Sequence, residues 1–314
     1  MLSRGKESAA GIVLAVTVFT LAAGWPAKSQ QPPAPEISAF RADSTLVLVP
    51  VTVVDRRGGI VNGLVRNEFT LTENGVRQQI RSFSEEDVSV SIGVVLDLSG
   101  SMKATLGPAK ESLRALLRDA NPADEAFLNA VSTRPRPFST FTRNFDDLLN
   151  RIVFEKADGN TALFDTIYGS LKQLRSGIHN RKALLVISDG MDNQSRYSRE
   201  ELLRRAVESD AQVYTIAAGN AAAMFAKPIE RTEEKRGLLF LDELAAKTGG
   251  MSFFVRGPTD VAGAAATIRR ALRNQYTIGY APGGNDRDGR WRRIRVKVAD
   301  SGMKAYARSG YRLD

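Results

Sequence analysis

Residues Ser89–Ser101 read SVSIGVVLDLSGS, and this stretch decides the fold. Ser89–Leu96 is a continuous apolar run with β-branched residues, the pattern of a strand covered on both faces. Such strands belong to parallel sheets flanked by helices. The run ends abruptly in Asp97-Leu98-Ser99-Gly100-Ser101, so a carboxylate and two hydroxyls fall at the carboxyl end of a buried strand. In open α/β sheets that edge is where ligands bind.

Working outward, the elements alternate. Helical spacing is predicted over Ala109–Leu117, a strand over Ala126–Val131, and a helix over Ala162–Leu174 with Leu163, Ile167, Leu171 and Leu174 on one face. Lys182–Ser188 (KALLVIS) is a second buried-type strand. Ser198, with Glu201 three residues later, forms a capping box that opens a helix to Ser209. Gln212–Ala217 is a strand, Leu238–Lys247 a helix stopped by Gly249-Gly250, Ser252–Val255 a short strand and Val261–Asn274 a helix. The expected fold class is α/β: a doubly wound, mostly parallel sheet flanked by helices over residues 88–274.

Both flanks of this unit read as β structure. STLVLVPVTVV (Ser44–Val54) alternates and ends in a turn at Asp55–Gly59; Glu68–Thr72 and Gln78–Phe83 follow, separated by the turn Glu73-Asn74-Gly75. After the α/β unit come Tyr276–Tyr280, Arg292–Val298 and a strand around Ala305–Tyr311. Segments 44–87 and 275–314 are each too small to bury a core alone, so they are expected to pair into one small all-β domain.

The N-terminus has the layout of a secretory signal peptide: Arg4 and Lys6, an apolar run of about 15 residues from Ala9, then Ala27-Lys28-Ser29. The run is short for a membrane span, which needs roughly 20 residues. Residues 1–29 are expected to be removed, with Ala23 or Gly24 as alternative cleavage points and an uncleaved N-terminal anchor as the other reading. Residues 30–43, proline-rich at first, read as a linker. Either way the body of the protein is expected outside the cytoplasm, in the periplasm, at the cell envelope or secreted.

Composition narrows the chemistry. The chain of 314 residues has no cysteine and one histidine, His179, which excludes disulfides and thiolate sites and leaves oxygen donors and backbone. The net charge is +9, spread along the chain apart from a dense stretch at Arg290–Lys297. There Ile294, Val296 and Val298 alternate with Arg293, Arg295 and Lys297, the pattern of a strand with one buried and one solvated face, so no nucleic-acid partner is expected.

Two further segments join Asp97, Ser99 and Ser101. Asp158-Gly159-Asn160-Thr161 places a threonine just before a helix, and Ile187-Ser188-Asp189-Gly190 ends the second buried strand with a carboxylate. All three fall at loops opening on one sheet edge. The order D-x-S-x-S, then T, then D-G resembles the metal-ion-dependent adhesion site of von Willebrand factor A and integrin I domains. The resemblance implies that Ser99 and Ser101 bind the ion through their hydroxyls. Thr161 would bind directly or through water, and Asp97 and Asp189 mainly through water. The ion implied is Mg²⁺, with Mn²⁺ or Ca²⁺ as alternatives, and the open coordination position would take an Asp or Glu of a protein partner. Thr140 and Thr142 lack the Gly-x-Thr-x-Leu setting of Thr161.

The flanks VTVVDRRGGIVNGLVRNEFTLTENGVRQQIRSF and QYTIGYAPGG…RWRRIRVKV…ARSGYR are similar to an exported, Acidobacterial-type subgroup of that family. Asn220–Arg236 is longer and more charged than a plain connection. The expected function is non-enzymatic, metal-dependent protein interaction or adhesion. Two alternatives stay open: a metal-assisted hydrolase, for which only His179 or Lys103 could serve as base, and a metal that only ties loops together.

Overall fold

A computed structural model describes residues 46–118, 120–218, 233–255, 258–282 and 289–312. The expected signal peptide and linker lie outside the described residues, as does most of Asn220–Arg236; its last four residues open a helix.

The centre is a six-stranded sheet. Its strands are β5 (Val90–Asp97), β6 (Glu125–Val131), β7 (Arg136–Pro137), β8 (Arg181–Ser188), β9 (Gln212–Ala218) and β10 (Ser252–Val255). They lie in the order β10-β9-β8-β5-β6-β7, all parallel except the short β7, which runs antiparallel to β6. This is the doubly wound α/β architecture expected from the sequence.

Helices cover both faces: α1 (Leu106–Arg118), α2 (Phe145–Val153) and α6 (Pro258–Arg273) on one, α3 (Leu163–Leu174), α4 (Arg199–Glu208) and α5 (Glu233–Thr248) on the other. Strand parity sorts the two cores. Ile92, Val94 and Leu96 with Leu185 and Ile187 face the first set, and Val95 with Leu184 and Val186 faces the second. Gly93 is glycine because a Cβ there would lie 2.6 Å from the Phe127 ring and 2.7 Å from Leu184.

Chain order places the site. From β5 the chain passes through α1 to β6 on one side, then returns through α3 to β8 on the other. The loops leaving β5 and β8 therefore diverge at the switch point, and their carboxyl ends sit side by side with Leu96 paired to Ile187.

The flanking segments form two four-stranded antiparallel sheets. One has the order β13-β1-β11-β4, built from β1 (Val47–Val54), β4 (Ile80–Glu86), β11 (Gln275–Tyr280) and β13 (Lys304–Ala307). The other has the order β14-β12-β2-β3, built from β2 (Phe69–Glu73), β3 (Val76–Gln78), β12 (Trp291–Val298) and β14 (Gly310–Arg312). Strands from before and after the α/β unit alternate in the first sheet and meet at the β12–β2 pair in the second. They share one core in which Phe69, Phe83 and Tyr276 pack with ring centroids 5.1–5.7 Å apart. These sheets and the α/β layers lie within one compact unit, Ser44–Asp314.

Three element expectations need correction. Phe145–Val153 is a helix where none was expected. The last predicted strand is two, because Ser309, between β13 and β14, turns aside to donate from N–H and hydroxyl to the Lys247 carbonyl. A 3₁₀ turn at Arg66–Glu68 interrupts the first β segment. Among the described residues no helix is long and apolar enough to cross a membrane.

Candidate metal centre

Asp97 is the last residue of β5 and is fully buried. Its Oδ1 accepts from the Ser99 N–H at 2.9 Å and its Oδ2 from the Ser188 hydroxyl at 2.6 Å. Ser188 is the last residue of β8, so a single hydroxyl ties the two central strand ends together. The same oxygen accepts from the Gly190 N–H at 2.9 Å, fixing the turn that carries Asp189.

Beyond Asp97 the chain enters a 3₁₀ turn, Gly100–Ala104, with Ser99 at its start. The Ser99 and Ser101 hydroxyls lie 3.1 Å apart. Ser99 is buried and Ser101 exposed, so the donors run from the core outward to solvent. The Ser101 hydroxyl is near enough to Asp189 to hold its carboxyl down, which relates the β8 carboxylate to the β5 loop.

Backbone bonds bring in the third segment. Asp158 N–H donates to Leu98 O at 2.8 Å and Gly100 N–H to Gly159 O at 3.0 Å. Gly159 has φ +79°, which a side chain rarely tolerates. Thr161, 3% exposed, is clasped from its other side: its N–H donates to Asn193 Oδ1 at 2.9 Å, and its carbonyl accepts from the Asn193 N–H at 3.0 Å. The structure thus places Asp97, Ser99, Ser101, Thr161 and Asp189 on loops joined to one another at one sheet edge. Thr142 pairs with Ala126 at the opposite end of β6, and the His179 ring lies 2.8 Å from the Ala123 carbonyl, also at that far end.

Burial pushes the Asp97 carboxyl up to about 6, against hydrogen bonds from Ser188 and Ser99 that hold it down; nearby Asp189 adds to the rise. Asp189 is raised by burial too, opposed by bonds from Ser101 and Met191. Among the described residues neither carboxylate sits in an ion pair. Two desolvated, unpaired carboxylates beside three hydroxyls form an all-oxygen donor set suited to a hard divalent cation. Among the described residues no cluster of three or more His, Cys, Asp or Glu exists, so any ion held here depends on the hydroxyls.

The sequence reading overlooked the residues that hold this edge in shape. Asp192 Oδ1 accepts from Phe164 N–H and from the Ser195 hydroxyl. Buried Asp165 accepts from the N–H groups of Arg196 and Tyr197 and from Arg196 Nε at 3.1 Å. Together with Ser188 and Asn193 they clamp loop 189–197 onto the start of α3. The signal available was the run Asp192-Asn193-Gln194-Ser195, rich in side chains that bond nearby backbone.

The chain is similar to several solved structures at low identity. They include an aerotolerance-related membrane protein from Bacteroides fragilis (18% identity, 59% of this chain and 98% of that one, TM-score 0.44). BatB from Bacteroides thetaiotaomicron is another (17%, 58% and 98%, TM-score 0.46). A third is a von Willebrand factor type A protein from Catenulispora acidiphila (13%, 88% and 76%, TM-score 0.45). No curated protein matches the chain. Residues 92–191, from the third residue of β5 to just past Asp189 and so including all five candidate ligands, match the family described as the von Willebrand factor type A domain.

Proposed function

We propose that this protein is an exported, non-enzymatic binding protein that holds one divalent cation, Mg²⁺ by preference, between Asp97, Ser99, Ser101, Thr161 and Asp189. The observation that carries the proposal is the convergence of two buried carboxylates and three hydroxyls at the switch point of the sheet. Serine and threonine donors are neutral, so a cation held here keeps net positive charge. It would attract an Asp or Glu of a protein partner as its remaining ligand. The match of residues 92–191 to the von Willebrand factor type A family supports an adhesion or interaction role.

The test is calorimetric titration of Mg²⁺ into the full chain, beside Asp97→Ala and Ser101→Ala. Saturable one-site binding lost in both variants is expected. Retention of an acidic peptide on immobilised protein should then require Mg²⁺ and be abolished by chelator. Unfolding of the wild type on chelation, without any change in peptide retention, would instead make the ion a structural tie.

A further inference from the structure

The outward face of the β14-β12-β2-β3 sheet carries a row of cations that the metal edge does not use. Along β12, Trp291, Arg293, Arg295 and Lys297 all point to solvent, while Arg292, Ile294 and Val296 point inward. Alternate residues on a strand stand about 7 Å apart, so the three charges form an evenly spaced line. Register extends the face sideways. Arg295 is opposite Thr72, which is opposite Arg77 on the edge strand; Lys297 is opposite Thr70. Directly paired residues share a face, so Arg77 joins the row across a strip of short threonines.

None of these four cations is neutralised: among the described residues Arg77, Arg293, Arg295 and Lys297 make no ion pair. Glu68, just before β2 at the Lys297 end, accepts from the Val65 N–H, and Asp300 from the Gly302 N–H. At the other end Trp291 is 40% exposed, and its indole lies against Gly310, where a Cβ would overlap the ring. Between them Thr72, Asn74, Gly75, Trp291, Arg293 and Arg295 line an open depression of about 410 Å³. Like charges held side by side, without local partners, cost stability that a surface would shed unless something anionic covers them.

We infer that this face binds an acidic polysaccharide, a linear polymer of uronic acid or sulfated sugar, laid along β12. The line of cations suits a linear array of anions. The threonine hydroxyls beside it suit sugar hydroxyls, and the single indole at its end suits the apolar face of one sugar ring. A single-stranded nucleic acid would call for several aromatic platforms, and among the described residues this face has one. A bilayer would call for apolar side chains to insert, and among the described residues Trp291 is the one large apolar side chain on β12's outward face. The inference is independent of the metal reading.

The test is binding of the full chain to polygalacturonate at low ionic strength. Comparison is made with Arg293→Ser/Arg295→Ser/Lys297→Ser and with a charge-matched control on exposed positions of the α/β unit, Arg143→Ser/Lys172→Ser/Arg175→Ser. Arg77→Ser alone serves as a second, single-site variant. The row variant should lose about tenfold in affinity and show a shallower salt dependence, Arg77→Ser about threefold, and the control less than about twofold. Equal loss in the control would reduce the effect to net charge and overturn the inference. So would absence of wild-type binding, or tighter, row-dependent binding of a single-stranded oligonucleotide or of phosphatidylglycerol vesicles.

Discussion

At the scale of single residues, the candidate centre depends on a side chain that is not one of the five candidate ligands. Ser188 donates to Asp97 and accepts from Gly190, so one hydroxyl positions both carboxylate-bearing turns. Its removal leaves a buried carboxylate oxygen without a donor. Ser188→Ala is therefore expected to lower stability by about 1–3 kcal/mol, read as a fall in the urea midpoint at unchanged slope. It should also weaken Mg²⁺ binding in the calorimetric titration while leaving the stoichiometry at one. The motif residues were legible because strand ends and turn chemistry mark them. Ser188 was not, because a serine closing an apolar strand looks the same whether or not it bonds across to a neighbouring strand.

At the scale of elements, legibility followed burial. β5 and β8 are apolar through their middles, Ile92–Leu96 and Ala183–Ile187, because both faces are covered there, and each lies within about a residue or two of its expected bounds. The helix α4 declared itself through its capping box: the Ser198 hydroxyl accepts from Glu201 N–H at 3.2 Å, and the Glu201 carboxylate accepts from Ser198 N–H at 2.8 Å. Ser198→Ala is expected to cost about 1 kcal/mol, seen as a drop of a few degrees in the thermal midpoint, with Ser198→Asp recovering most of it. By contrast α2 buries only Leu148, Leu149 and Ile152, and its Asn144 cap follows a polar stretch, so its short apolar stripe carried little signal. The first turn of α5, Glu233–Arg236, is wholly charged, so apolar periodicity detects that helix only from Leu238. The clamp through Asp165 and Asp192 was illegible for a related reason: it joins residues about thirty apart by side chain to backbone, which no local pattern records.

At the scale of the whole molecule, the β layers are joined to the α/β layers by polar groups in dry surroundings. Within the β core, Glu73 accepts from the Tyr280 and Tyr311 hydroxyls and pairs with buried Arg292 at 3.2 Å. Arg292 has the inward parity of Ile294 and Val296, so its burial could have been read from the alternation that disposed of its neighbours. Between the layers, Gln275 of β11 donates to Tyr214 and Gln212 of β9, and Tyr214 is fully buried. Burial pushes the Tyr214 phenol up to about 12 from its ordinary 10.0, opposed by bonds from Thr52 and Gln275. Tyr311 is raised to about 12 and Tyr280 is raised as well, again chiefly by burial.

The sign of the consequence follows from which state holds protons. Between pH 10 and 12 the unfolded chain has released phenolic protons that the folded chain retains, so stability falls as pH rises. The contribution is fully present below pH 10 and is lost as pH climbs through the folded values. The thermal midpoint should accordingly be insensitive to these groups from pH 7 to 9 and decline steeply above 10, where the unfolding free energy falls by at most ~1.4 kcal/mol per pH unit for each buried tyrosine. Tyr214→Phe should be less stable than the wild type at pH 7, by about 1 kcal/mol for the lost hydrogen bonds, yet decline more gently above pH 10. Parallel alkaline slopes in the two proteins would show that Tyr214 ionises freely in the folded state, and that the seam between β9 and β11 is open to water.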